Sequence, residues 1–287
     1  MIRQWIAGMA LALVSLSAGA QFDINRLIDL GKKATEAAKA TRDFTQDEEI
    51  ELGQGVTAGL LGAMPLHPDD RMQRYVNRVG RWVAQQSERA DLPWAFAVLE
   101  TETINAFAMP GGMVVVSHGL LRRLNNESEL AGVLGHEIAH VLQKHQLSAI
   151  KAAAGTDLLA AVGKEAAAYR IGRSGGDAFG LKSQLAGAGI DAVKNGVFLR
   201  PLDRSLEYEA DRIGVVLAAR AGYDPYGLVA ALQMLQSVKG DDPGFTMFTT
   251  HPQPADRIAE LEKVVPTVLE KFASQPQVEG RFKQSVR

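Results

Sequence analysis

The chain has 287 residues, 46% of them apolar and 22% charged, which is enough for a sizeable core and one or two domains. Lys and Arg number 31 against 33 Asp and Glu, for a formal net charge of -2, so the broad one-signed field that a phosphate-backbone binder needs is excluded. Cysteine is absent, which excludes disulfides, a thiol nucleophile and thiolate metal sites.

The N-terminus has Arg3, then an apolar run from Trp5 to Leu16, then Ser17 to Ala20 with small residues at Ala18 and Ala20. This pattern predicts a secretory signal peptide over 1–20, cut near Ala20–Gln21, and hence a periplasmic protein. The other reading is an uncleaved anchor, but the apolar run is shorter than a bilayer span. The stretch KKATEAAKAT predicts a surface helix. Asp47 to Leu60 is helical in character but carries Gly53, Gly55 and Gly59, which argue against a long helix. Leu66 to Asp70 reads as a turn and helix start. Met72, Tyr75, Val76, Val79, Trp82 and Val83 then mark one stripe of an amphipathic helix over 71–86.

Trp94 to Leu99 is short, apolar and preceded by Pro93, so it predicts a strand. Asn105 to Met109 and Met113 to Ser117 predict two more strands around a Pro110-Gly111-Gly112 turn. Asn126 is a good helix cap with Glu129 three residues on. The helix it opens contains His136 and His140. Residues 151–196 are rich in Ala and Gly, with a break predicted at 172–176. Helices are predicted over 202–220, 226–238 and 255–272, and a polar tail over 276–287 closes the chain. Residues 21–275 are expected to form one domain of mostly helical α+β fold, with a small sheet beside the histidine-bearing helix.

The chemistry centres on His136-Glu137-Ile138-Ala139-His140. Residues four apart share a helix face, so both imidazoles can hold one zinc ion, and Glu137 beside them can act as general base on a water. The alternative is a solvated face carrying an i,i+4 pair, but the helix is otherwise apolar and an unpaired buried charge is costly. Glu207 and Asp211, also four apart, supply a candidate third ligand and a hydrogen-bond partner for a ligating imidazole. The bland reading pairs them on the surface with Arg204 and Arg212.

His136-Glu137-x-x-His140 followed by Glu207-x-x-x-Asp211 resembles the M48 zinc metallopeptidases. So do the segment Asn105 to Gly112, Arg204 three residues before Glu207, and Thr250-His251-Pro252 with Arg257. Asp203 stands where that family usually has serine. The resemblance covers 66–261. It implies a zincin-type fold, a Zn2+ cofactor held by His136, His140 and Glu207, catalysis by Glu137, and support from Asp211 and Arg204. It also implies that Asn105, Ala106, Phe107, Ala108 and Met109 form an edge strand that binds substrate by backbone pairing. The alternative for this segment is an ordinary hairpin edge.

The export signal resembles the periplasmic Oma1-like and BepA-like branch, without a tetratricopeptide array, for which too few residues follow His251. In that branch the residue matching His251 can fill the fourth zinc position and hold the enzyme latent. The alternative is a histidine fixed in a turn bounded by Pro252 and Pro254. Tyr208 and Arg204 are both candidates for stabilising an oxyanion. His67, His118 and His145 have no evident metal partner and read as surface or structural histidines. The expected function is zinc-dependent endoproteolysis of unfolded or misfolded envelope proteins. The implied partners are an unfolded polypeptide and the outer membrane or its assembly machinery, not nucleic acid. The alternatives are a peptidase for short peptides and a zinc-stabilised chaperone with low turnover.

Overall fold

A computed structural model describes residues 44–149, 201–238, 251–263 and 265–287. The leader predicted over 1–20, the helix predicted for KKATEAAKAT, the 151–196 segment and residues 241–250 lie outside them. Asp43–Arg287 forms one compact unit. The fold is α+β: helices surround a three-stranded sheet. Among the described residues no helix is long and apolar enough to cross a membrane.

Helix α1 (Gln46–Ala63) runs straight through its glycines. Leu52, Val56 and Leu60, each four apart, are buried against Leu99, Met109 and Val115. Gly53 is there for space: a Cβ at that position would lie 1.7 Å from the carbonyl oxygen of Pro110. The expectation of a short helix therefore fails, and Gly53 marks close contact with the hairpin turn, not a break. Helix α2 (Asp70–Ala84) starts at Asp69, whose side chain accepts from the Arg71 and Met72 amides. Of its predicted stripe, Met72, Tyr75, Val76, Val79 and Val83 are buried, but Trp82 is 50% exposed and lies off that face, with its indole N–H donating to the Ala221 carbonyl.

Strands β1 (Ala95–Leu99), β2 (Ala106–Met109) and β3 (Met113–Ser117) lie in the order β1-β3-β2. β3 is central, parallel to β1 and antiparallel to β2. Its run of Val114, Val115 and Val116 is buried, as expected for a strand covered on both faces. The β2–β3 turn needs Gly111 at φ 79 and Gly112 at φ 99, a region other residues enter only at a cost.

After the short helix α3 (His118–Leu121) comes α4 (Glu127–Leu142), all 16 residues of which are buried. Asn126 caps it through the Glu129 amide, and the Glu129 carboxylate accepts in return from the Asn126 side chain. Helix α5 (Arg204–Arg220) packs along α4 at backbone contact: a Cβ on Gly135 would lie 2.7 Å from the Gly214 oxygen. Helix α6 (Gly227–Ser237) covers another side of α4.

The helix expected over 255–272 is three pieces: α7 (Pro254–Leu261), α8 (Val265–Val268) and a 3-10 turn (Glu270–Phe272). Pro266 accounts for the break, since it lacks an amide proton and its ring obstructs the preceding turn. The expected polar tail is also different in the structure. It forms α9 (Glu279–Val286), which buries Phe282 and Val286 on the core. Its Arg281 reaches the fully buried Glu127, which also accepts from the Tyr75 and Tyr223 hydroxyls at 2.7 Å each. With only two apolar side chains, α9 is too short for its sequence pattern to reveal this docking.

Candidate metal centre

Three elements converge at one place. Helix α4 brings His136, Glu137 and His140, α5 brings Glu207 and Asp211, and α7 with the segment entering it brings Arg257 and His251. All seven side chains are buried. The Gly135–Gly214 contact explains how Glu207 reaches the histidines, because the two helix backbones meet one residue before His136 and one turn after Asp211.

His136 Nε2 and His140 Nε2 are 3.1 Å apart. Glu207 Oε2 lies 3.6 Å from His136 Nε2, and Glu207 Oε1 lies 3.6 Å from His140 Nε2, too far for hydrogen bonds. His251 Nδ1 approaches Glu207 Oε2 to 2.6 Å. One ligand atom from each of His136, His140, Glu207 and His251 falls within 4.8 Å of the others.

Asp211 Oδ1 is 2.8 Å from His136 Nδ1, and Arg257 donates to both Asp211 oxygens. Arg257 Nη2 is also 3.1 Å from His136 Nδ1. The ionised Asp211 carboxylate can only accept, so His136 Nδ1 carries the proton and donates to it, Arg257 is a second donor to that carboxylate, and His136 Nε2 is left as a bare acceptor.

The electrostatics follow from burial and neighbours. Burial pushes the Glu137 carboxyl above the usual range, with His136 and His251 offsetting only part of the effect. Burial also raises Glu207, but His251, His136 and His140 together outweigh it and hold Glu207 well below the usual range. For Asp211, Arg257 overcomes the same burial effect. Burial, reinforced by His136, drives His140 well down and keeps its ring neutral, the form that binds metal. His251 is raised, because Glu207 outweighs the effect of burial.

Whether these residues suit a metal can be judged from the donors. Glu137 Oε1 and Glu207 Oε1 are buried with no hydrogen-bond partner among the described residues. A set of imidazole nitrogens and one carboxylate, closely spaced and shielded from water, fits a divalent cation.

Among the other expected site residues, Arg204 is not at the cluster. Its side chain is 73% exposed and pairs with Asp256 at 3.6 Å. The guanidinium beside His136 is that of Arg257, which the sequence offered only as part of a motif. Its distance of 121 positions from His136 left no periodic signal to find it by. Tyr208 is half-buried. Ala106 to Met109 form the edge of the sheet beside α4, and Asn105 precedes them, buried, with its side chain accepting from the Ala106 amide. His145, read as structural, is buried against His140.

A model of peptidase family M48 matches residues 70–265. The chain belongs to peptidase family M48. The beta-barrel assembly-enhancing protease of Escherichia coli (strain K12) is 31% identical over 217 residues, covering 74% of this chain and 43% of the relative. The protein of that name from Yersinia pestis is 34% identical over 224 residues, covering 75% and 43%. The mitochondrial metalloendopeptidase OMA1 of Schizosaccharomyces pombe is 32% identical over 193 residues, covering 67% and 52%. The chain spans about half the length of these curated relatives. The fold of this M48 member is the expected one: mostly helical, with the small sheet beside the histidine-bearing helix.

Proposed function

We propose that this M48 member is a zinc-dependent endopeptidase with His136, His140 and Glu207 as metal ligands and Glu137 as general base. The observation that carries this reading is the pair of Nε2 atoms 3.1 Å apart, faced by a carboxylate whose Oε1 has no partner among the described residues. Buried acceptors crowd together this way only at a cost, which a cation removes. When bound, zinc polarises the scissile carbonyl and acidifies the attacking water. Glu137 then takes the proton from that water and passes it to the leaving amine. Burial raises the Glu137 carboxyl, which strengthens it as a base for the first half of the transfer.

Substrate binding by strand addition fits β2. Ser117 donates to the Asn105 carbonyl, and antiparallel pairs alternate, so Phe107 and Met109 turn their backbone groups to β3. Ala108 turns its amide and carbonyl, and Ala106 its carbonyl, to the outer edge, where no strand pairs among the described residues; the Ala106 amide already donates to the Asn105 side chain. A peptide bound there is held by its backbone, which favours unfolded chains over any one sequence. With the 1–20 leader, this points to unfolded or misfolded periplasmic proteins as substrates. The names of the bacterial relatives extend the proposal to contact with outer-membrane assembly.

His251 is the proposed fourth ligand. Catalytic zinc keeps one position open, so a histidine there makes the resting enzyme latent until it withdraws. The deciding experiment combines metal analysis of the purified chain with casein cleavage before and after chelation. One equivalent of zinc, with cleavage lost on chelation and restored by zinc, is the expected result. A metal-free chain, or cleavage indifferent to chelators, would refute the reading.

A further inference from the structure

Helix α4 ends at Leu142, and a two-residue turn at Gln143 and Lys144 follows. Lys144 takes φ 55, a left-handed conformation that costs a residue with a side chain about 1 kcal/mol or more. The turn folds His145 back beneath the helix. There its ring is 4% exposed and its Nδ1 lies 3.0 Å from Nδ1 of His140. On the far side, His145 Nε2 is 3.5 Å from Oε2 of Glu209, which projects from α5 between Glu207 and Asp211.

Two Nδ1 atoms 3.0 Å apart share one proton. An ionised Glu209 can only accept, so it favours the His145 tautomer that carries its hydrogen on Nε2. His145 Nδ1 then holds a lone pair and must accept from His140 Nδ1. His140 is thereby left with a bare Nε2, aimed at His136 Nε2 and Glu207. At His136 a carboxylate does the same work directly, through Asp211. At His140 an imidazole is inserted between ring and carboxylate.

The geometry points to a three-residue relay, His140–His145–Glu209, in which His145 and Glu209 are positioning residues that fix the tautomer and tilt of His140 for a divalent cation. This rests on the metal reading above. The strained turn at Lys144 is consistent with it, since such conformations persist where the surroundings require them.

The test is zinc affinity, measured by competition with a chromophoric chelator on the full chain. The proteins are wild type, His145→Leu, His145→Asn and Glu209→Ala, each with its metal-free unfolding temperature and its cobalt-substituted visible spectrum. His145→Leu is expected to weaken zinc by about 10- to 100-fold and to shift the cobalt bands. His145→Asn, whose amide oxygen can accept from Nδ1, should recover part of that loss. Glu209→Ala should weaken zinc by about tenfold without lowering the unfolding temperature. Wild-type affinity in both His145→Leu and Glu209→Ala overturns the relay, as does equal loss in the Leu and Asn variants, which would mean that His145 only fills space. If His145→Leu does not fold, the half-exposed Glu209 decides alone, and unchanged affinity in Glu209→Ala overturns the proposal. A wild type that takes up no zinc overturns the metal reading itself, a different outcome from a zinc-binding wild type matched by its variants.

Discussion

Arg257 grips Asp211 through two hydrogen bonds, Nε to Oδ2 at 2.9 Å and Nη2 to Oδ1 at 2.5 Å, deep in the protein and directly behind His136. Planar fork and carboxylate match, and neither group has water to fall back on. Arg257→Lys keeps the charge but loses the fork. It is expected to weaken metal binding by about 10- to 100-fold. Arg257→Ala removes the cation that neutralises the buried Asp211 and leaves it only the His136 ring, and should lower unfolding free energy by about 3–5 kcal/mol. Metal titration and urea unfolding measure the two effects, and a Lys variant with native affinity would remove Arg257 from the site's support.

Glu137→Gln should retain its zinc and lose casein cleavage by at least about 100-fold, the usual scale of a general acid–base contribution. The amide is nearly isosteric, so the fold should be unaffected. Undiminished turnover in the pure variant would end the general-base assignment.

Glu207→Ala deletes the carboxylate that faces both histidines. Its zinc content after dialysis should fall far below that of wild type, because two imidazoles alone make a weak site. Equal metal content in the two proteins would take Glu207 out of the ligand set.

His251→Ala should raise the rate of casein cleavage if His251 blocks the fourth position, without loss of zinc. A rate equal to that of wild type would reject latency and leave His251 as a hydrogen-bond partner of Glu207.

Much of this centre is legible in the sequence where the signal is local. The i,i+4 spacing of His136 and His140, the Asn126 cap and the strand–turn–strand around Gly111 and Gly112 are all short-range patterns with a direct physical meaning. Contacts made between elements are not legible in this way. Arg204 sits beside Glu207 in the chain yet turns to solvent, while Arg257 arrives from another helix. Gly53 looks like a helix breaker until Pro110 is seen against it. His145 falls past the end of its helix, where periodicity no longer says which way a side chain points.

The buried Glu127 gives a prediction about pH. Burial alone would raise its pKa, but Arg281, Tyr223 and Tyr75 donate to it and the net shift is downward. A carboxylate lowered on folding contributes stability above its unfolded pKa, about 4.3, and loses it as pH falls through the folded value. At pH 7, Glu127→Gln should cost about 2 kcal/mol, a figure kept modest because Arg281 is 60% exposed. The gap between variant and wild type should narrow from pH 5 downward. Urea midpoints across that range test it, and a gap that widens in acid would contradict the assigned sign.

The touching backbones of Gly135 and Gly214 leave the helix pair no room to slide or to spread. A single added methyl at either position would wedge the two rods apart and carry Glu207 away from the imidazoles. The spacing that sets Glu207 against the imidazoles is thus fixed by main-chain contact and not by side-chain packing. Of the residues around the cluster, His251 is held by neither of these two helices and enters the site from a separate segment.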